Sequence, residues 1–485
     1  MTGAGRRRRG RLRQTVRKVW RALREVEPEI WRNLHVELTV GRQWLDRVVV
    51  LTYAVAAGGL VVAFTFLAEM ATHAFGLLQR VHAHGLYAAL VLTPALAAAG
   101  AWYTRRFAPG AAGSGIPQVM RALDDDLTKR QLSGLVSWRI ALHKIVGVCA
   151  ALLGGMSVGR EGPTVQIGAG IMVHARRWLS PDSQIDAHDL MVAGAAAGIA
   201  AAFNTPLGGI VFAMEKLSRR RGATQHAVVI AAIVLSGLVA VSVFGNETYF
   251  GRLKVQELSW SMLGPGALIV LIAGLSGGLF SRLTIVSMAG APDRFSRWRR
   301  AHPIRFAAAC GFGVALMVVA TGGATAGAGY AQTRALLEGH TELPGVYTLL
   351  KFCATWLSSW SGVPAGVFAP SLSIGAGIGR DVSLAVGVDT VHMIPLIAIG
   401  MVAFLAASTQ GPITAFIIVM EMVSGQSMVL SLMAAALLAN GVSRLISKPM
   451  YQEMAKLLPV PGTPTATAPP PATPAPGPPA PPQAS

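Results

Sequence analysis

Apolar residues in this chain come in long blocks rather than alternating with polar ones. Nearly uninterrupted apolar stretches occupy 48–68, 86–103, 227–244, 263–280 and 428–443, with shorter ones crowded between them. Each approaches the ~20 residues that carry a helix across a hydrocarbon core. The pattern predicts an all-α polytopic membrane protein. Five further segments, 113–123, 161–174, 204–215, 366–379 and 412–423, are too short to cross, offering only ~10–15 apolar positions against that length. Half-length helices survive in lipid only where protein or a water-filled cavity covers their ends. Broken helices of this kind mark transport sites near the midplane.

Composition agrees. Of 485 residues, 52% are hydrophobic and 13% charged, about half the roughly 25% charged residues of a soluble protein. An ordinary soluble enzyme is excluded. The 54 glycines suit close helix packing in lipid. Cys149, Cys310 and Cys353 lie inside apolar segments and read as small hydrophobes rather than disulfide partners.

Charge supplies orientation. Residues 1–47 hold 13 Lys/Arg against 5 Asp/Glu, a large share of the net +19. Positive loops stay inside, so this segment is expected in the cytoplasm, and the run Arg6 to Arg9 is too polar for a cleaved signal peptide. Residues 14–40 read as an amphipathic helix on anionic lipid. Nucleic-acid binding is not expected, since charge alone, without aromatic or motif context, is poor grounds for it. Arg219 to Arg221 place their loop in the cytoplasm, and the nearly balanced Gly245 to Ser261 loop lies outside. Arg444, Lys448 and Lys456 bring the chain back, so both termini are expected in the cytoplasm. Residues 459–485, mostly Pro, Ala and Thr without charge, read as a disordered tail with no room for a folded regulatory domain.

A repeat sharpens the transport reading. Gly159-Arg-Glu-Gly-Pro-Thr-Val-Gln-Ile-Gly-Ala-Gly-Ile171 aligns without gaps to Gly366-Val-Phe-Ala-Pro-Ser-Leu-Ser-Ile-Gly-Ala-Gly-Ile378, at an offset of 207. Pro206 to Glu215 matches Pro412 to Glu421 at 206, both ending Met-Glu. The division expected is a basic segment 1–47, membrane repeats 48–250 and 251–452, and a tail 453–485. Inverted copies would bring their broken helices together at the midplane. Three segments have the form Gly-x-x-x-Pro: Gly113 to Pro117, Gly159 to Pro163 and Gly366 to Pro370. Proline suits a first helical turn, and glycine lets the chain turn tightly before it. Free N–H groups at the positive end of a helix dipole then make an anion site.

Gly113-Ser-Gly-Ile-Pro117, Gly159-Arg-Glu-Gly-Pro163, Gly366-Val-Phe-Ala-Pro370 and Lys448-Pro-Met-Tyr451 together resemble the signature motifs of the CLC family of chloride channels and chloride/proton exchangers. The resemblance covers about 50–455. It implies a homodimer in a cell membrane, inner or plasma, with one pore per subunit between inverted repeats. By the same resemblance, chloride is held by the Ser114 and Tyr451 hydroxyls and the amides of Val367 and Phe368, neutral donors that bind an anion without trapping it. Ser114 could also be a helix cap, and Tyr451 an interfacial tyrosine. The resemblance makes Glu161 the gate and proton carrier; an intramembrane carboxylate is costly unless used. An ion pair with Arg160 is its alternative. Exchangers of the family carry two successive glutamates where this chain reads Glu215-Lys216. Lys216 is expected to relay protons in place of the second, as burial can neutralise an amine; a permanently charged or merely solvated Lys216 would favour a passive chloride channel. No metal-ligand spacing or phosphate loop appears, so no cofactor is expected. Gly274-Leu-Ser276-Gly-Gly278 fits an intramembrane serine protease motif, a distant alternative, because the histidines sit mostly near segment ends.

Overall fold

The computed structural model describes residues 41–81, 85–124, 126–217, 227–245, 249–251, 260–340 and 342–459. The expected amphipathic helix at 14–40, the Arg219 to Arg221 loop, most of the Gly245 to Ser261 loop and nearly all of the tail lie outside them. Among the described residues the regular structure is helical, and two isolated backbone bridges join loops. The first part holds α1 Gly41–Val81, α2 Ala89–Phe107, α3 Ile116–Ala122, α4 Lys129–Leu135, α5 Trp138–Leu153, α6 Glu161–Met172, α7 Ala187–Phe203, α8 Pro206–Phe212 and α9 Ala227–Phe244. The second holds α10 Leu263–Ala289, α11 Arg294–Ala301, α12 Pro303–Ala320, α13 Tyr330–Leu337, α14 Tyr347–Trp360, α15 Phe368–Val386, α16 Thr390–Thr409, α17 Pro412–Met422, α18 Val429–Ile446 and α19 Met450–Leu457. Among the described residues, eight candidate spans are long and apolar enough to cross a membrane.

Burial sorts these helices. On α7 and α16 nearly every side chain is buried, and these two stand at the centre. The first packs on α6, α9 and α1, the second on α15, α18 and α10. Their contacts are backbone to backbone: a Cβ on Gly168 would lie 2.1 Å from the Gly194 carbonyl oxygen, and one on Gly375 2.3 Å from that of Gly400. Only glycine permits such approach. Outer helices instead show large apolar side chains outward, Val91, Leu430 and Leu445 among them, as a lipid-facing surface requires.

Both central helices end alike. Asn204 closes α7 and Gln410 closes α16 in the left-handed conformation, φ 57° and 52°. Proline then starts a short helix in each case, α8 at Pro206 and α17 at Pro412. Glu215, in the π-helical turn Ala213–Leu217 that follows α8, accepts from the amides of Ile413 and Thr414 at 3.1 and 2.8 Å. Glu421, near the end of α17, accepts from the amides of Leu207 and Gly208 at 3.2 and 2.7 Å. Each carboxylate caps the free N–H groups of the other's helix, where negative charge is favoured.

One length expectation fails. The helix expected to stop near 379 runs on to Val386, because its polar residues are satisfied in place. Arg380 bonds Asp381 at 2.9 Å and the Leu343 carbonyl at 2.6 Å, and Thr348 donates to Asp381 at 2.6 Å. The other four short segments are short in the structure. The three cysteines are free.

Candidate anion site and gate

Three helix starts converge. The loop before α3 bridges to the loop before α15 through Gly113 and Pro364, and the turn before α6 bridges to the same loop through Gly159 and Gly366. The Gly159 and Gly366 amides each donate to the other residue's carbonyl, at 2.7 and 3.0 Å. A Cβ on Gly162 would lie 2.5 Å from Ser114 Oγ, so α6 can meet the α3 loop this closely only with glycine there. Free amides at the head of α6 and of α15 thus face a common volume.

Buried Lys144 on α5 holds this arrangement, donating to the carbonyls of Ala111 and Gly113 at 3.0 and 2.6 Å. Gln166 on α6 ties Gly110 and Leu135. A second buried lysine, Lys351 on α14, repeats the device: it donates to the carbonyls of Thr325 and Gly327 at 3.0 and 2.7 Å, in the loop leading to α13. Lys144 and Lys351 are 207 apart, the offset of the motif repeat. Their charge inside apolar runs was a signal in the sequence that the motifs overshadowed.

The sequence-predicted residues meet here, with one exception. Ser114 and Tyr451 are both buried, and their hydroxyls have no hydrogen-bond partner although they lie close to one another. Orphaned donors of this kind are rare unless a ligand or water completes them. Packing of α19 on α3 delivers Tyr451; Phe368 stacks on it, ring centroids 6.4 Å apart and 4° from parallel. Val367 is the N-cap of α15 and Phe368 its first residue, which puts both amides at the dipole's positive end.

Glu161 opens α6 and is 0% exposed. The amides of Arg160, Glu161 and Ala369 surround its carboxylate, Oε1 accepts from the Tyr330 hydroxyl, and Oε2 has no hydrogen-bond partner. The Arg160 alternative is a loose contact, Nε to Oε1 at 3.8 Å. The terminal nitrogens of Arg160 bond Glu69 at 2.9 Å, the Thr65 carbonyl at 3.3 Å and the Tyr249 hydroxyl at 2.6 Å. Tyr330 and Tyr249 carried no signal in the sequence, since they act from distant segments.

Lys216 is the exception. It lies apart from this cluster, at the end of α16, where its ammonium donates to the Thr409 and Gln410 carbonyls at 3.0 and 2.7 Å. A cation on the last carbonyls of a helix is a favourable cap.

Two cavities reach the site. One of about 820 Å³ is lined by Glu69, His73, Arg160, Tyr249, Tyr330 and Arg334, among others. Another of about 220 Å³ reaches Ser114 from beside Arg299, Trp360 and Met454.

Known proteins resemble this chain in sequence and in fold. The profile described as "Voltage gated chloride channel" matches residues 95–444. The chain belongs to the CLC family. It is 31% identical over 379 residues to the H(+)/Cl(-) exchange transporter ClcA of Vibrio parahaemolyticus, covering 76% of this chain and 79% of that one. The ClcA of Vibrio cholerae is 32% identical over 385 residues, with the same coverage. Among solved structures, a slow cyanobacterial Cl-/H+ antiporter superposes with TM-score 0.71 at 23% identity, over 85% of this chain and 97% of that one. A CLC-type fluoride/proton antiporter gives 0.67 at 20%, over 84% and 97%. These structures share the fold. Membership makes the chain a multi-pass membrane transporter of the chloride-transporting CLC family, not an enzyme. The protease motif has a packing role: Gly274 and Gly278 lie against α18 and Gly277 against α16, while Ser276 donates to the Ile272 carbonyl at 2.7 Å.

Proposed function

We propose that the protein exchanges chloride for protons across a cell membrane, with Glu161 as both gate and proton carrier. The observation that carries this reading is a fully buried carboxylate, half unpartnered, at helix N-termini beside two orphaned hydroxyls. Ionised, Glu161 occupies an anion position and blocks it. Protonated, it has no charge to hold it among the amides; it swings aside and chloride enters. Ser114, Tyr451 and the amides of Val367 and Phe368 then hold the ion without a full positive charge, which lets it leave again. Exchange by the ClcA relatives supports the coupling, and the Gly-Ser-Gly-Ile-Pro motif supports chloride over fluoride.

The reading includes two inverted repeats and a homodimer with both termini in the cytoplasm. Reciprocal caps by Glu215 and Glu421, paired lysines at Lys144 and Lys351, and paired left-handed breaks at Asn204 and Gln410 support the duplication. A second reading concerns Lys216. Its hydrogen bonds to two carbonyls favour a helix cap over a proton relay, and a cap with no relay would suit a passive channel.

The test is proton movement in liposomes under a chloride gradient. Exchange predicts proton uptake driven by chloride in the unmodified protein, and chloride flux without proton flux in Glu161→Gln. Chloride-driven proton uptake that persists in Glu161→Gln removes Glu161 from this role.

A further inference from the structure

Tyr330 is the first residue of α13 and donates its hydroxyl to Glu161 Oε1. It also lines the larger cavity, so the phenol stands between the vestibule and the gate. Its ring is fixed on several sides. Tyr249 lies 5.0 Å away and Phe250 6.2 Å away, centroid to centroid, and the Arg160 guanidinium sits over the ring at 5.2 Å. The chain beneath is held as firmly. Lys351 binds two carbonyls of the preceding loop, and the Gly329 carbonyl accepts from Ser373 at 3.3 Å and Thr333 at 2.9 Å. A side chain held from its ring and from its backbone keeps its hydroxyl in one place.

We infer that Tyr330 is a positioning residue that latches ionised Glu161 in its blocking pose, so that the phenol helps set the pH at which the gate opens. The inference rests on the exchange reading above. A hydroxyl can donate to either oxygen of an ionised carboxylate, and hydrogen bonds to charged groups are roughly twice as strong as neutral ones. Protonation of Glu161 removes the charge and weakens the latch. Among the described residues, the other charged or titratable groups around the gate are Arg160 at its own helix start, Tyr249 beside it, Glu69 on α1 acting through Arg160, Tyr451 on α19, and Lys351 on α14 against the chain just before Tyr330. His73 and Arg334 also line the vestibule. Among these, Tyr249 accepts from Arg160 and so helps hold the guanidinium beside the gate.

The test measures chloride flux in liposomes across a pH series. Tyr330→Phe keeps the ring packing and removes the donor. The ionised gate is then less stable, opening needs fewer protons, and the midpoint of the flux profile moves to higher pH by about one unit. In a Glu161→Gln background Tyr330→Phe has no effect on the profile. A second variant, 3-fluorotyrosine at position 330, keeps the packing with a more acidic donor and moves the midpoint to lower pH; it carries the test if Tyr330→Phe does not fold. An unmoved midpoint in an active exchanger overturns the latch and leaves the exchange reading standing. An equal shift in the Glu161→Gln background also overturns it. Absence of chloride-coupled proton movement in the unmodified protein overturns the exchange reading and the latch with it.

Discussion

In the proposed mechanism single side chains carry the selectivity and the coupling. Ser114 stands where three helix starts meet, its hydroxyl buried and unpartnered. Family members specialised for nitrate resemble this chain but carry proline at that position. Ser114→Pro is therefore expected to raise nitrate competence relative to chloride in a liposome flux assay, while unchanged selectivity would place the filter elsewhere. Lys216 gives a second expectation. With its ammonium on the Thr409 and Gln410 carbonyls, Lys216→Met should lower the melting temperature and leave the ratio of protons to chloride intact; loss of coupling at unchanged stability would assign it the relay instead. Ser114, Glu161 and Tyr451 could be named from the sequence because each belongs to a short contiguous motif. Tyr330 and the Glu69 partner of Arg160 could not, since those contacts join residues 169 and 91 positions apart.

Helix ends do most of the work at the next scale. Glu215 and Glu421 each accept two amides at the start of the opposing short helix. Losing a charged acceptor there costs about 1–3 kcal/mol. Glu215→Ala and Glu421→Ala should thus lower thermal stability in detergent by similar amounts, and a large loss from only one would contradict the reciprocal arrangement. The Met-Glu match at an offset of 206 was visible in the sequence; its capping role was not, because a carboxylate shows no partner until the fold supplies one. Short helices were legible for a related reason. Glycine and proline mark where a helix begins, whereas the end of α15 was misplaced because Arg380 and Asp381 look like a boundary until their bonds to each other, to Leu343 and to Thr348 are seen.

At the scale of the whole molecule, hydrophobic blocks announced a membrane protein, and the motifs announced its family. The proposed dimer has a candidate face in α8, α9, α17 and α18, which adjoin one another and expose Leu207, Ile230, Ile413 and Leu430. Single-molecule photobleaching in membranes should show two subunits per particle, and Ile413→Trp combined with Leu430→Trp should shift the population to one while each subunit goes on transporting. Coupling of chloride to protons is tested most directly by the reversal potential in a chloride gradient. Exchange predicts a reversal displaced from the chloride equilibrium potential that moves when the pH gradient is changed. A reversal fixed at the chloride equilibrium potential at every pH would contradict exchange and identify a passive chloride channel.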